Sequence, residues 1–142
     1  KERYNIKQIS SLLKLSRYLI KKYKIKSKFI LGHSDISPDR KKDPGENFPW
    51  RYFSKKKIGP WHNINQKIIA KYRYKKIGIN EKKLFIKNLY RIGYTKDFYK
   101  DNILNFKILT IAFQRRFRQE IVNGVIDKEC FVISNNLVKK FN

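Results

Sequence analysis

The sequence predicts an α/β fold, on three observations: an amphipathic helical pattern over residues 5–24, a short apolar run at 29–31 closed by Gly32, and three further helical patterns beyond residue 80. In the first helix, Ile9, Leu12, Leu13, Leu19, Ile20 and Tyr23 recur on one face while lysine and serine fill the other. Asn5 and Gln8 stand at the spacing of an N-cap and its reciprocal partner. Phe29, Ile30 and Leu31 read as a short buried strand, after which Gly32 lets the backbone turn. One helix and one strand leave most of their apolar faces uncovered, so this unit is expected to continue a layer that begins before Lys1. The absence of methionine agrees with a chain that is a matured product or a piece of something longer.

Residues 33–49 form a loop holding most of the prolines. Residues 58–79, broken by Gly59-Pro60 and Gly78, read as a joining segment with one helical piece at 64–72. A helix over 80–92 stops at Gly93. A longer one over 101–118 places Phe106, Leu109, Phe113 and Phe117 in helical spacing, and a third over 127–140 is capped by Asp127. Asn123-Gly124 marks the turn before it. The expected division is 1–57, a linker at 58–79, and a small three-helix module at 80–142.

The 35 lysines and arginines against 11 acidic residues leave a net charge of +24, which draws the chain to polyanions without choosing among nucleic acid, acidic lipid and anionic wall polymer. No run approaches the roughly 18 apolar residues of a membrane span, and no signal-peptide pattern opens the chain. The one cysteine, Cys130, forms no internal disulfide and is expected as a core thiol on a helix.

Chemistry concentrates in residues 32–50, GHSDISPDRKKDPGENFPW. His33 leaves the apolar run, and Asp43 follows in a loop that Pro38 and Pro44-Gly45 can fold back. Imidazole nitrogen and carboxylate oxygen both bind zinc at about 2.0–2.2 Å. The residues alone leave two readings open: a hydrogen-bonded structural pair, or two ligands of a metal whose third lies elsewhere. His62, the other histidine, is the internal candidate for that third ligand, against a simpler reading as an exposed or aromatic-stacked ring. Asp35 is a candidate to orient His33 through its other ring nitrogen. Arg40 has the planar fork to grip a substrate carboxylate, against a simpler pairing with Asp39 or Asp35. Phe48, Pro49, Trp50 and Trp61 read as packing around the loop.

This segment closely resembles the zinc-loop motif of the type 2 N-acetylmuramoyl-L-alanine amidases, G-H-[SA]-D-I-A-P-x-R-K-x-D-P-G followed by F-P-W. IGPW at 58–61, AFQRRFR at 112–118 and NGVIDKEC at 123–130 resemble the linker and C-terminal helical module of the two-domain branch of that family. Cys130 stands where a threonine is common. The resemblance implies the C-terminal part of a mixed-sheet amidase domain followed by a peptidoglycan-binding-like module. It implies a zinc hydrolase cutting the amide between N-acetylmuramic acid and the L-alanine of the stem peptide. His33 and Asp43 then match zinc ligands, and Lys41 the lysine that stabilises the tetrahedral intermediate. The family's first zinc histidine and an assisting glutamate have no counterpart here, so the chain is expected to be inactive alone. The implied partners are peptidoglycan or muropeptides, and the implied place is the cell envelope, in the periplasm, with an outer-membrane anchor upstream left open and a monomer expected.

The competing reading is a basic nucleic-acid-binding protein in which Arg115, Arg116 and Arg118 contact phosphates from one helix. Charge spread along the entire chain and the lack of a base-reading motif count against it, and no specific nucleic acid is expected as a partner.

Overall fold

Helix α1 (Ile6–Tyr23) starts where the sequence allows a double cap. The Gln8 N–H donates to Asn5 Oδ1 and the Asn5 N–H to Gln8 Oε1, each at 2.9 Å. It ends as Lys24 turns left-handed at φ 51°. The computed structural model describes residues 3–95 and 103–141. After α1 come the single turn α2 (His33–Ile36), α3 (Trp50–Lys55), α4 (Gln66–Ala70), α5 (Ile79–Arg91), α6 (Ile103–Phe117) and α7 (Lys128–Phe141). The expected helix start at residue 101 lies outside the described residues.

The expected strand at 29–31 is not formed. Residues Ser27–Phe29 make one 3-10 turn, and Phe29 is 65% exposed. A strand must hand its N–H and C=O groups to a neighbour, and among the described residues there is no strand at all. The Ile30 carbonyl instead accepts a hydrogen bond from the Arg116 guanidinium at 2.9 Å. The α/β expectation, with its mixed sheet, is thus corrected to an all-helical arrangement of the described residues.

Two apolar clusters organise the chain. The larger gathers Ile69, Phe85, Leu89, Leu109, Phe113, Phe117, Ile133 and Leu137 from α4 to α7, with α5 and α7 packed most extensively. Phe113 meets Phe85 edge-on at 5.1 Å between ring centroids and lies tilted against Phe117, also at 5.1 Å. The smaller joins Leu13 of α1 to Phe48, Trp50, Phe53 and Ile58, and Trp61 packs against both. No helix among the described residues is long and apolar enough to cross a membrane.

Polar groups stitch the larger cluster. Gln114 is buried, and its Oε1 accepts the N–H groups of Asn123 and Gly124 at 2.9 and 2.8 Å while its Nε2 donates to the Val125 carbonyl at 3.0 Å. Gly124 sits at φ +74°, and a Cβ there would stand 2.7 Å from Lys107 Cγ, which explains the Asn-Gly turn. Arg118 pairs with Asp127, and Arg73 grips Glu129 through two bonds of 2.8 and 2.9 Å. Cys130 is a buried thiol on α7, as its sequence position suggested, and burial pushes it up to about 12.

Candidate metal centre

The proline-punctuated loop closes on itself. The Ser34 N–H donates to the Asp43 carbonyl at 3.0 Å, which lays the two ends of the loop side by side. The Tyr4 hydroxyl donates to the Pro44 carbonyl at 2.6 Å, so the residue preceding the α1 cap pins the returning arm of the loop. Gly32 permits this approach: a Cβ on it would stand 2.8 Å from Pro44 Cδ and 3.2 Å from the Trp50 ring. Between the two ends, the Ser37 carbonyl accepts the Arg40 and Lys41 N–H groups at 3.1 and 2.8 Å, making the turn.

Two side chains meet as a result. His33 Nδ1 and Asp43 Oδ2 are 2.5 Å apart, and both groups are largely exposed. That hydrogen bond holds the Asp43 carboxyl below its usual range, with the Asp43 backbone amide and the charge of nearby Lys41 adding to it. The first turn of the loop is held from below by a buried ion pair. Asp35, 1% exposed, accepts the Gly32 N–H at 2.9 Å and pairs with Arg116, whose guanidinium also stacks on the Trp50 ring at 4.0 Å.

A sequence profile of the N-acetylmuramoyl-L-alanine amidase family matches residues 1–46. Over 138 residues the chain is 30% identical to the N-acetylmuramoyl-L-alanine amidase AmiD of Escherichia coli strain K12, covering 94% of this chain and 48% of AmiD. The structure superposes on that of E. coli AmiD in complex with anhydro-N-acetylmuramic acid-L-Ala-D-γ-Glu-L-Lys with a TM-score of 0.81 at 29% identity, covering 97% of this chain and 53% of the other. The chain is similar to AmiD over nearly its whole length. It also superposes, at a TM-score of 0.81 and 27% identity over 99% of its length, on 55% of AmpDh3 from Pseudomonas aeruginosa in complex with anhydromuramic pentapeptide. The 1,6-anhydro-N-acetylmuramyl-L-alanine amidase AmpD of Haemophilus influenzae is 51% identical over 49 residues, 33% of this chain and 27% of that protein. The chain thus spans about half the length of AmiD and less of AmpD.

The donors fit part of a zinc site. An imidazole and a carboxylate are the right chemical types, and they lie in direct hydrogen-bond contact at an exposed position. No group of three or more His, Cys, Asp or Glu side chains able to hold a metal occurs among the described residues. The candidate third ligand, His62, is 5% exposed and stacks on Trp61 at 5.3 Å, which matches the simpler reading of it.

The remaining candidates fall as follows. Asp35 gives its carboxylate to Gly32 and Arg116, and the described partner of the His33 ring is Asp43. Arg40 reaches Ser37 Oγ at 3.2 Å and Asp39 at 3.7 Å. Phe48 and Trp50 are buried in the smaller cluster, as packing residues. Arg116 is the residue that reading the sequence missed. Its signal was present: it lies seven positions after Leu109 and three after Phe113, on the apolar face of α6, where a charge is buried only with a partner.

Proposed function

We propose that this chain supplies two zinc ligands, His33 and Asp43, and an electrostatic catalyst, Lys41, to an N-acetylmuramoyl-L-alanine amidase that acts on muropeptides in the periplasmic cell envelope. The observation that carries the proposal is the 2.5 Å approach of His33 and Asp43 within the motif. Support comes from relatives whose names describe this activity and from the muropeptides held by AmiD and AmpDh3. When bound, zinc supplies Lewis-acid polarisation of a carbonyl and makes water more acidic. His33 and Asp43 hold that ion at the loop surface. Lys41 faces the charge that develops on the amide oxygen, and Arg40 lies one residue away to engage a stem-peptide carboxylate. Residues 1–57 carry this machinery, and 58–79 join it to the helical module at 80–142.

Release of stem peptide from a 1,6-anhydro-muropeptide tests the proposal, with zinc content measured on the same samples. These residues replace the matching half of E. coli AmiD in a chimaera. About one zinc per chain and hydrolysis are expected, both lost in His33→Ala and in Asp43→Ala. Lys41→Ala is expected to keep zinc and lose about 10²–10³ in kcat. Zinc and activity surviving His33→Ala refute the reading. The nucleic-acid alternative loses its main contacts, because Arg116 and Arg118 are each 1% exposed.

A further inference from the structure

A second concave surface shares no lining residue with the His33–Asp43 pair. This groove, of about 1120 Å³, is bounded by α3, the 57–66 segment and the end of α7. Its lining carries Lys26, Lys28, Arg51, Lys55, Lys57 and Lys140, and no carboxylate. None of these cations is in an ion pair with a carboxylate among the described residues. Gathering unneutralised like charges is unfavourable, and a bound anion relieves it.

Two further observations point to a ligand rather than to a general excess of lysine. His62 lines the groove at 5% exposure, and its Nδ1 is buried without a hydrogen-bond partner among the described residues. Such a group costs free energy until something pairs with it. Lys140 is held in place, because its Nζ donates to the Trp61 carbonyl at 2.8 Å and keeps two N–H bonds to give. Burial, with Arg51 and Lys140 adding and Glu120 opposing, lowers His62 to about 4, so the ring is neutral near pH 7 and retains one N–H donor.

We propose that this groove binds a phosphate group, with Arg51, Lys140 and His62 as its contacts and Trp61 as the apolar wall for the molecule that carries it. Phosphate suits the arrangement better than a carboxylate because its larger charge and additional acceptor oxygens match several separate donors. A soluble phosphate ester and a phospholipid headgroup share this chemistry.

The test is a titration of the full chain with inorganic phosphate at constant ionic strength, read from the His62 ring signals by NMR. Saturable shifts are expected, with affinity lowered about tenfold or more in Arg51→Gln and in Lys140→Gln, the worth of one charge-assisted hydrogen bond. A Lys82→Gln/Lys83→Gln control, on another face, is expected to bind as the parent does. Equal weakening by the control, or the same shifts with chloride, overturns the proposal. A flotation arm with phosphatidylglycerol vesicles separates the sources. Retention lost in Arg51→Gln assigns a headgroup, phosphate binding without such retention assigns a soluble ester, and failure of both overturns the site.

Discussion

The cluster around Phe113 and the cluster around Trp50 differ in how much of their own apolar surface they cover. In the first, α7 buries Cys130, Ile133, Leu137 and Val138 against α5 and α6, and the buried Gln114 amide is paired on both its oxygen and its nitrogen in the 123–125 turn. In the second, α1 buries Leu13 alone, while Ile6 is 86%, Leu15 54% and Tyr18 59% exposed. The smaller cluster is held from outside. Arg116 reaches across to Asp35, Ile30 and Trp50, and Gln119 donates to the Phe48 carbonyl at 2.7 Å. The loop that carries His33 and Asp43 therefore takes its order from a helix of the other region.

The largest effect that sharpens this contrast is expected from Arg116→Ala. It leaves Asp35 buried without its counter-charge, a change worth about 3–5 kcal/mol, and removes the stacking on Trp50. Amide exchange is expected to rise in residues 30–50 while α5 and α7 stay protected. Arg116→Lys is expected to restore little, since one ammonium does not reproduce the fork and the stack. Uniform loss of protection across both regions breaks the comparison.

Leu137→Ala opens a cavity in the better-filled cluster and is expected to cost about 2–5 kcal/mol in chemical denaturation, with both regions unfolding together.

A smaller effect concerns His62. Its folded value is about 4, below the ordinary 6.5, so the unfolded chain binds a proton that the folded chain refuses. Stability is then full above about pH 6.5 and falls as the pH drops toward 4, by at most about 3 kcal/mol. His62→Gln is expected to flatten that part of the stability–pH curve. An unchanged slope refutes the assignment.

The smallest effect is expected at Leu15→Gln. The side chain is 54% exposed, so a change within about 0.5 kcal/mol follows. A larger loss in a melting experiment shows that α1 is packed more than its exposure indicates.

What the sequence disclosed depended on how local the signal was. The Asn5/Gln8 cap, the Asn123-Gly124 turn and the helical spacing of Leu109, Phe113 and Phe117 are read within a few residues, and each appears where expected. The 29–31 strand did not, because a strand is made by its partner and apolar residues in a row do not supply one. The meeting of His33 with Asp43 was legible from Pro38, Pro44 and Gly45. Its support by Arg116 was not, since the two are far apart in the chain and the arginine looked like part of a basic surface stripe. The overall charge of +24 hid the distinction between arginines that are buried and lysines that line a groove.

Cobalt(II) titration of the full chain, followed by its visible absorption and repeated with His33→Ala and Asp43→Ala, tests the central claim most directly. The account predicts one site per chain whose affinity falls by about tenfold or more in either variant, while His62→Ala leaves it unchanged. Equal affinity in all four proteins, or loss confined to His62→Ala, contradicts it.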